Sequence, residues 1–170
     1  RGRNGQGKTS LLRLLAGLST PDHGVVTWGG AALRDAGASF QRDLVFIAHA
    51  NALKDDLTPF ESLQFLVRMH GEEASRAVLE EALRRFGMHS RRDAPVRSLS
   101  QGQRRRVALA RLFSSCSSSL WILDEPYDAL DADATATLND ALSAHAAGGG
   151  LIVLTSHVPL ILHPPAPLVL

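Results

Sequence analysis

Gly2-Arg3-Asn4-Gly5-Gln6-Gly7-Lys8-Thr9 has the spacing Gly-x4-Gly-Lys-Ser/Thr and runs straight into a segment of helical periodicity. Glycines at these positions let successive backbone N–H groups curl around an anion, and the start of the following helix adds partial positive charge. The chemistry this suits is the holding of nucleotide phosphates. Lys8 would meet the β- and γ-phosphates, and the Thr9 hydroxyl is offered to Mg2+. A second constellation is Leu120-Trp121-Ile122-Leu123-Asp124-Glu125, an apolar strand that ends in two acids. Ligands of open α/β sheets bind at the carboxyl ends of strands, which is where these acids fall. Asp124 is then a Mg2+ ligand, direct or through water, and Glu125 is placed to polarise an attacking water. Two adjacent acids alone could simply end a strand; the phosphate loop upstream gives them a task.

Two further stretches fit the same chemistry. Leu99-Ser100-Gln101-Gly102-Gln103 opens the helix that carries Arg104-Arg105-Arg106. Ser100 is an ordinary helix N-cap, and the same geometry offers a hydroxyl and free N–H groups to an anion. The three arginines read as a solvated face or as local ion pairs rather than a nucleic-acid surface. His157 follows an apolar strand in Thr155-Ser156-His157, where it can reach a γ-phosphate, although a lone histidine is more often structural. None of the seven histidines shows metal-ligand spacing, so no protein-bound transition metal is expected.

The elements that must position these residues follow from periodicity. Ser10–Leu18 reads as a buried helix, with Leu11, Leu12, Leu14, Leu15 and Leu18 at helical spacing. Val25–Trp28 and Leu44–Ala48 read as strands of one sheet, separated by a Gly29-Gly30 turn. Thr58-Pro59-x-Glu61 is a helix start, a second helix runs from about Glu72 to Phe86, and a third begins after Ser100. Strand Leu120–Leu123, helix Ala132–Ala146 and strand Leu151–Thr155 then imply parallel crossovers.

In chain order, Gly2–Thr9, Leu99–Gln103, Leu120–Asp124, Glu125, Ala129-Leu130-Asp131 and His157 resemble the Walker A loop, signature, Walker B strand, catalytic glutamate, D-loop and switch histidine of ABC transporter nucleotide-binding subunits. The resemblance spans nearly the whole chain. It implies an α/β P-loop NTPase (RecA-like) three-layer core, residues 1–50 and 117–170, with an all-helical insert over 51–116 carrying the signature. It further implies ATP and Mg2+, with Ser10 and Gln103 joining the nucleotide site. Two copies would pair head to tail, each ATP lying between one copy's phosphate loop and the other's Ser100 and Gly102. Transmembrane permease subunits would be the partners, with the chain peripheral on the cytoplasmic face of a bacterial inner membrane and no nucleic acid involved.

Ser98–Arg111, Leu120–Asp131 and Gly149–Leu160 look, more narrowly, like the ATP-binding subunits of bacterial haem exporters in cytochrome c biogenesis. Those subunits tend to carry His in place of the Q-loop glutamine, and His49 stands there, eight residues before Leu57-Thr58. That resemblance implies cytochrome c maturation membrane proteins as partners. Gln101 departs from the family by replacing the second residue of the signature, which leaves Gly102 for close backbone approach. His49 is shorter in reach than glutamine and can accept a hydrogen bond when neutral. The aromatic residue that stacks on adenine is expected before Arg1, and Trp28 does not replace it by order.

Length and composition agree. The 170 residues suit one domain, and 45% apolar content supports a core. Charge is nearly balanced, with 18 Lys plus Arg against 17 Asp plus Glu. A lone cysteine, Cys116, excludes an internal disulfide and suits a reducing compartment. No run approaches the roughly 18 apolar residues of a membrane span. The chain begins at Arg1, inside a motif that usually follows a buried strand, and reads as a fragment with N-terminal strands missing; the end from Pro164 reads likewise. Rival readings are another export or import system, a soluble relative in DNA repair or translation, and a nucleotide sensor without turnover. The soluble relatives need a larger insert between His49 and Leu99 or a second cassette. Lys8, Asp124, Glu125 and His157 speak against the sensor.

Overall fold

The computed structural model describes residues 7–114 and 118–157. Gly2, Arg3, Asn4, Gly5 and Gln6 of the phosphate loop, Cys116 and the end from Pro164 lie outside the described residues. Helix α1 (Lys8–Leu15) opens on Gly7, whose φ of 79° is left-handed. It stops short of Leu18 because the chain reverses at Gly17, φ 69°. There the Gly17 N–H donates to Leu14 O at 3.1 Å and the Leu18 N–H to Arg13 O at 2.9 Å, the paired bonds of a Schellman stop.

The strand expected over Val25–Trp28 does not join the sheet of Leu44–Ala48. Instead β1 (Thr27–Trp28) pairs antiparallel with β2 (Ala31–Ala32). Gly29 and Gly30, at φ 57° and 86°, supply the two positive φ values that a tight type I′ hairpin demands, and this closes the pair on itself. A helix that periodicity did not announce follows, α2 (Leu33–Asp43), broken by Gly37 at φ 46°, ψ −126°. Its apolar face is short, built on Leu33, Ala36 and Phe40. Trp28 packs edge-on against Phe40 and donates its Nε1–H to Asp43 at 2.9 Å, which ties the hairpin to this helix.

The main sheet is parallel. β3 (Leu44–Ile47) lies beside β4 (Leu120–Leu123), and β4 beside β5 (Leu151–Leu154), in the order β3-β4-β5. Register aligns Ile47 with Leu123 and Leu123 with Leu154, so all three strands end level. β4 is central and buried at every position. Strand alternation divides its side chains: Leu120 and Ile122 join Leu12, Ala16, Phe40 and Leu44 on the face covered by α1 and α2. Trp121 and Leu123, with Val45 and Ile47, enter the larger cluster on the other face. Burial on both faces is why β4 reads as an unbroken apolar run.

That larger cluster is built by helices. Between β3 and β4 come α3 (Pro59–Met69), α4 (Arg76–Arg85) and α5 (Gln101–Ala110), and α6 (Ala132–Ala147) joins β4 to β5. Leu63, Val67, Leu79, Leu83, Val107, Leu109, Leu138 and Leu142, drawn from all four, are at most 1% exposed. Helix α3 starts where the sequence says it should. Thr58 Oγ1 accepts from the Glu61 N–H at 3.2 Å while Glu61 Oε2 accepts from the Thr58 N–H at 2.9 Å, with Pro59 at the first turn. The architecture is an α/β three-layer arrangement with a helical insert. No helix among the described residues is long and apolar enough to cross a membrane.

Candidate active site

The level ends of β4 and β5 bring Asp124, Glu125 and Thr155 onto one edge, beside the N-terminus of α1. Asp124, 2% exposed, accepts a hydrogen bond on each carboxylate oxygen: from Thr9 Oγ1 at 2.9 Å on Oδ2 and from Thr155 Oγ1 at 2.6 Å on Oδ1. Its own N–H donates to Ile47 O at 2.9 Å, continuing the sheet one residue past β4. Thr9 and Asp124, 115 residues apart in sequence, are thus in direct contact.

Glu125 is held more unusually. Its φ is 47°, a left-handed conformation that an L side chain seldom adopts, and such strain concentrates where surrounding structure enforces it. Its N–H donates to Thr155 Oγ1 at 2.9 Å, so one threonine hydroxyl serves both acids. Glu125 Oε2 accepts from the His157 N–H at 3.0 Å. The other oxygen, Oε1, is buried and makes no hydrogen bond among the described residues, yet Lys8 Nζ lies 3.6 Å away and His157 Nε2 3.2 Å away. Lys8, Thr9, Asp124, Glu125 and His157 therefore lie together at one edge of the sheet. Ser10 is exposed on the first turn of α1.

The arginine run needs correction. Arg104 and Arg106 do make ion pairs, though with distant segments: with Asp55 at 2.8 Å and with Asp131. Arg105 is neither solvated nor ion-paired in that way; it is 2% exposed. Its Nη2 donates to Asp124 O at 2.7 Å and Glu125 O at 2.8 Å, its Nη1 to Ala48 O at 2.8 Å and Asn51 Oδ1 at 3.0 Å, and its Nε to Pro126 O at 3.4 Å. Burial pulls its pKa below the ordinary arginine value, opposed by the charges of Asp128, Asp124 and Glu125. A signal was available: Arg105 stands four and seven residues before Leu109 and Leu112, on the buried stripe of its helix. Thr155 was also missed, because a threonine ending a strand has no distinctive spacing.

Ser100 caps α5. Its Oγ accepts from the Gln103 N–H at 3.2 Å and Gln103 Oε1 accepts from the Ser100 N–H at 3.0 Å. Ser100 is nonetheless exposed at the helix start. Gly102 meets the segment after Glu125: a Cβ there would lie 2.5 Å from the Ala129 carbonyl oxygen, and Ala129 itself has φ 59°. Glycine at 102 is thus required within the chain. His49 does not touch the acids. Its exposed ring has Nδ1 3.4 Å from Asp128 Oδ2, on the loop after Glu125.

The arrangement supplies a carboxylate and a hydroxyl for a hard cation, a cation for phosphate, and a buried carboxylate that can take a proton. Comparison with known proteins gives this chemistry a context. Residues 1–128 match the family model described as "ABC transporter". The cytochrome c biogenesis ATP-binding export protein CcmA of Aromatoleum aromaticum is 49% identical over 156 residues, covering 92% of this chain and 73% of that protein. A solved ATP-binding subunit of an ABC transporter superposes with a TM-score of 0.79 at 26% identity, over 92% of this chain and 66% of that one. A dimeric ATP-binding cassette solved with ADP and phosphate superposes with a TM-score of 0.79 over 92% of this chain and 72% of its own, and at 21% identity that likeness speaks for the fold. Because the family match takes in most of the chain and the relative's identity extends beyond it through the second half, the chain belongs to the ABC transporter family.

Proposed function

We propose that the chain binds ATP with Mg2+ and hydrolyses it, in a head-to-tail pair of copies, to power a membrane complex that exports haem in cytochrome c biogenesis. The observation that carries the hydrolytic part is Glu125, with a buried carboxylate oxygen facing Lys8 and His157 directly after a carboxylate bonded to Thr9. A carboxylate so placed accepts a proton from water as the water attacks phosphorus, and Lys8 stabilises charge on the phosphate oxygens. His157, on the neighbouring strand end, orients Glu125 and contacts the terminal phosphate.

Thr9 and Asp124 fit Mg2+, since both offer oxygen and the ion prefers few protein oxygens completed by phosphate and water. When bound, the ion neutralises phosphate charge. Gly2, Arg3, Asn4, Gly5, Gln6, Gly7 and Ser10 would complete the phosphate cradle, and Ser100, Gly102 and Gln103 would serve the nucleotide of the second copy. His49, held beside Asp128, would act in place of the Q-loop glutamine through the loop that follows Glu125. In the same reading residues 51–116 are the helical part that meets the permease subunits, and the chain lies at the cytoplasmic face of the inner membrane. The export role is supported by the relative's name as a cytochrome c biogenesis export protein and its 49% identity.

Glu125→Gln separates binding from turnover. The variant is expected to retain ATP affinity, to pair more persistently in ATP, and to lose hydrolysis by two or more orders of magnitude. Undiminished phosphate release would remove Glu125 from its role. For the export reading, the chain should co-purify with the membrane subunits of cytochrome maturation; recovery with a sugar or metal permease instead would end it.

A further inference from the structure

Glu125 sits in a left-handed conformation that its own side chain disfavours, so something must hold the backbone there. The hydrogen bond from its N–H to Thr155 fixes one side of the residue. On the other, the carbonyls of Asp124, Glu125 and Pro126 converge on one guanidinium, that of Arg105, which also grips Ala48 at the end of β3 and the Asn51 side chain. Five donors in a rigid planar fork reach five acceptors on two segments, 48–51 and 124–126, a geometry that an ammonium with three donors at one point cannot reproduce. The cluster is deep: Arg105, Asp124, Glu125 and Pro126 are all buried.

Arg105 is not the sole link between its helix and this loop. Gly102 packs against the Ala129 carbonyl and Arg106 pairs with Asp131, so one helix face grips the segment from Asp124 to Asp131 at three points. Ser100 begins that same helix. Any group that displaces the α5 N-terminus therefore pulls on the backbone that aims Glu125.

We propose that Arg105 is a positioning residue for hydrolysis: by fastening the backbone carbonyls of Asp124 and Glu125 to α5 it aims the Glu125 carboxylate and couples that aim to the Ser100 end of the helix. This rests on the reading of Glu125 as general base. Arg105 touches no substrate; it acts on the direction of a neighbour's carboxylate, where misplacement by about 1 Å can cost roughly a hundredfold in rate.

The test is steady-state ATP hydrolysis, nucleotide affinity and melting temperature for Arg105→Lys, alone and combined with Glu125→Gln, in the preparation in which the unaltered chain turns over. Arg105→Lys is expected to lower kcat by about ten- to a hundredfold, with KM and ADP affinity within about twofold, because Lys8 and Thr9 are untouched. In the Glu125→Gln background the same change should lower residual turnover by less than about twofold, since a group that acts through Glu125 has nothing left to aim. A full kcat in Arg105→Lys, a parallel loss of nucleotide affinity, or additive losses in the double variant would overturn the proposal. If Arg105→Lys does not fold, Asn51→Ala, which removes one acceptor of the fork, should lower kcat by about two- to fivefold at unchanged KM, and an unchanged kcat there would overturn it. Should Glu125→Gln itself turn over normally, the general-base reading fails, and that outcome is separate from a failure of Arg105.

Discussion

Two hydroxyls hold Asp124, and one of them also receives the Glu125 N–H. Thr155 is therefore the residue on which the alignment of both acids depends, although it carries no charge and meets no substrate in the proposed reaction. Thr155→Val keeps the shape and removes both bonds. It is expected to lower stability by about 1–3 kcal/mol, since a buried carboxylate and an N–H lose partners, and Thr155→Ser should restore most of it. Denaturant melts of the two variants check this. The acids and Lys8 were legible as motif residues because their chemistry demands particular side chains at particular spacing. Thr155 and Arg105 were not, because their task is to hold backbone and carboxylate geometry, which depends on which segments meet in space. Arg105 shares the spacing of Leu109 and Leu112, but a charged side chain reads as solvated until the carbonyls that satisfy it in the interior are in view.

Elements with their start signals in the chain appear where the sequence puts them. The Thr58/Glu61 and Ser100/Gln103 reciprocal caps fix the starts of α3 and α5, because each pairs groups three residues apart. Replacing Thr58 by Ala removes one such cap and should cost about 1 kcal/mol in a thermal or denaturant melt, with ATP affinity unchanged. The hairpin of β1 and β2 and the kinked α2 are not legible in the sequence, for the opposite reason. Two-residue strands carry no periodicity, and Gly37 interrupts the helix where a repeat would need to continue. At α5 the contact with Ala129 makes a sharper forecast. Gly102→Ala would drive a methyl to 2.5 Å from a backbone oxygen that has no rotamer by which to move aside. The loop after Glu125 must shift, so turnover should fall by tenfold or more and stability by about 1–3 kcal/mol, measured by phosphate release and unfolding of the same preparation.

At the scale of the whole molecule, the insert and the sheet are joined at both ends of β3. Near its C-terminal end Arg105 binds Ala48. At its start His70, beyond α3, donates Nε2–H to Leu44 O at 2.5 Å and accepts on Nδ1 from Arg111 at 2.6 Å, which calls for a neutral ring. Burial, then the adjacent Arg111 charge, hold the His70 pKa below the ordinary histidine value, while the Leu44 carbonyl and Glu72 pull the other way. Burial likewise lowers that of His145, whose ring stacks on Trp121 at 3.9 Å. Because the folded values are depressed, the unfolded chain takes up these protons first. Stability from the neutral rings is present above about pH 6.5 and is lost as pH falls from there through the folded values. Thermal melts from pH 7.5 to 5.5 should show falling stability, and His70→Gln should flatten that slope; a slope unchanged by the substitution would point to other groups.

Residue types and order alone singled out the candidate phosphate loop and the two acids, and they set the helix starts at Thr58 and Ser100 and the parallel alternation of strand and helix, since each rests on groups near one another in the chain. The tertiary structure decided that Thr9 meets Asp124, that β1 turns away from the main sheet, that His49 faces Asp128 rather than the acids, and that Arg105 is buried beneath Glu125. Those are contacts between segments distant in sequence, where burial and hydrogen-bond satisfaction choose among partners that no local spacing can rank.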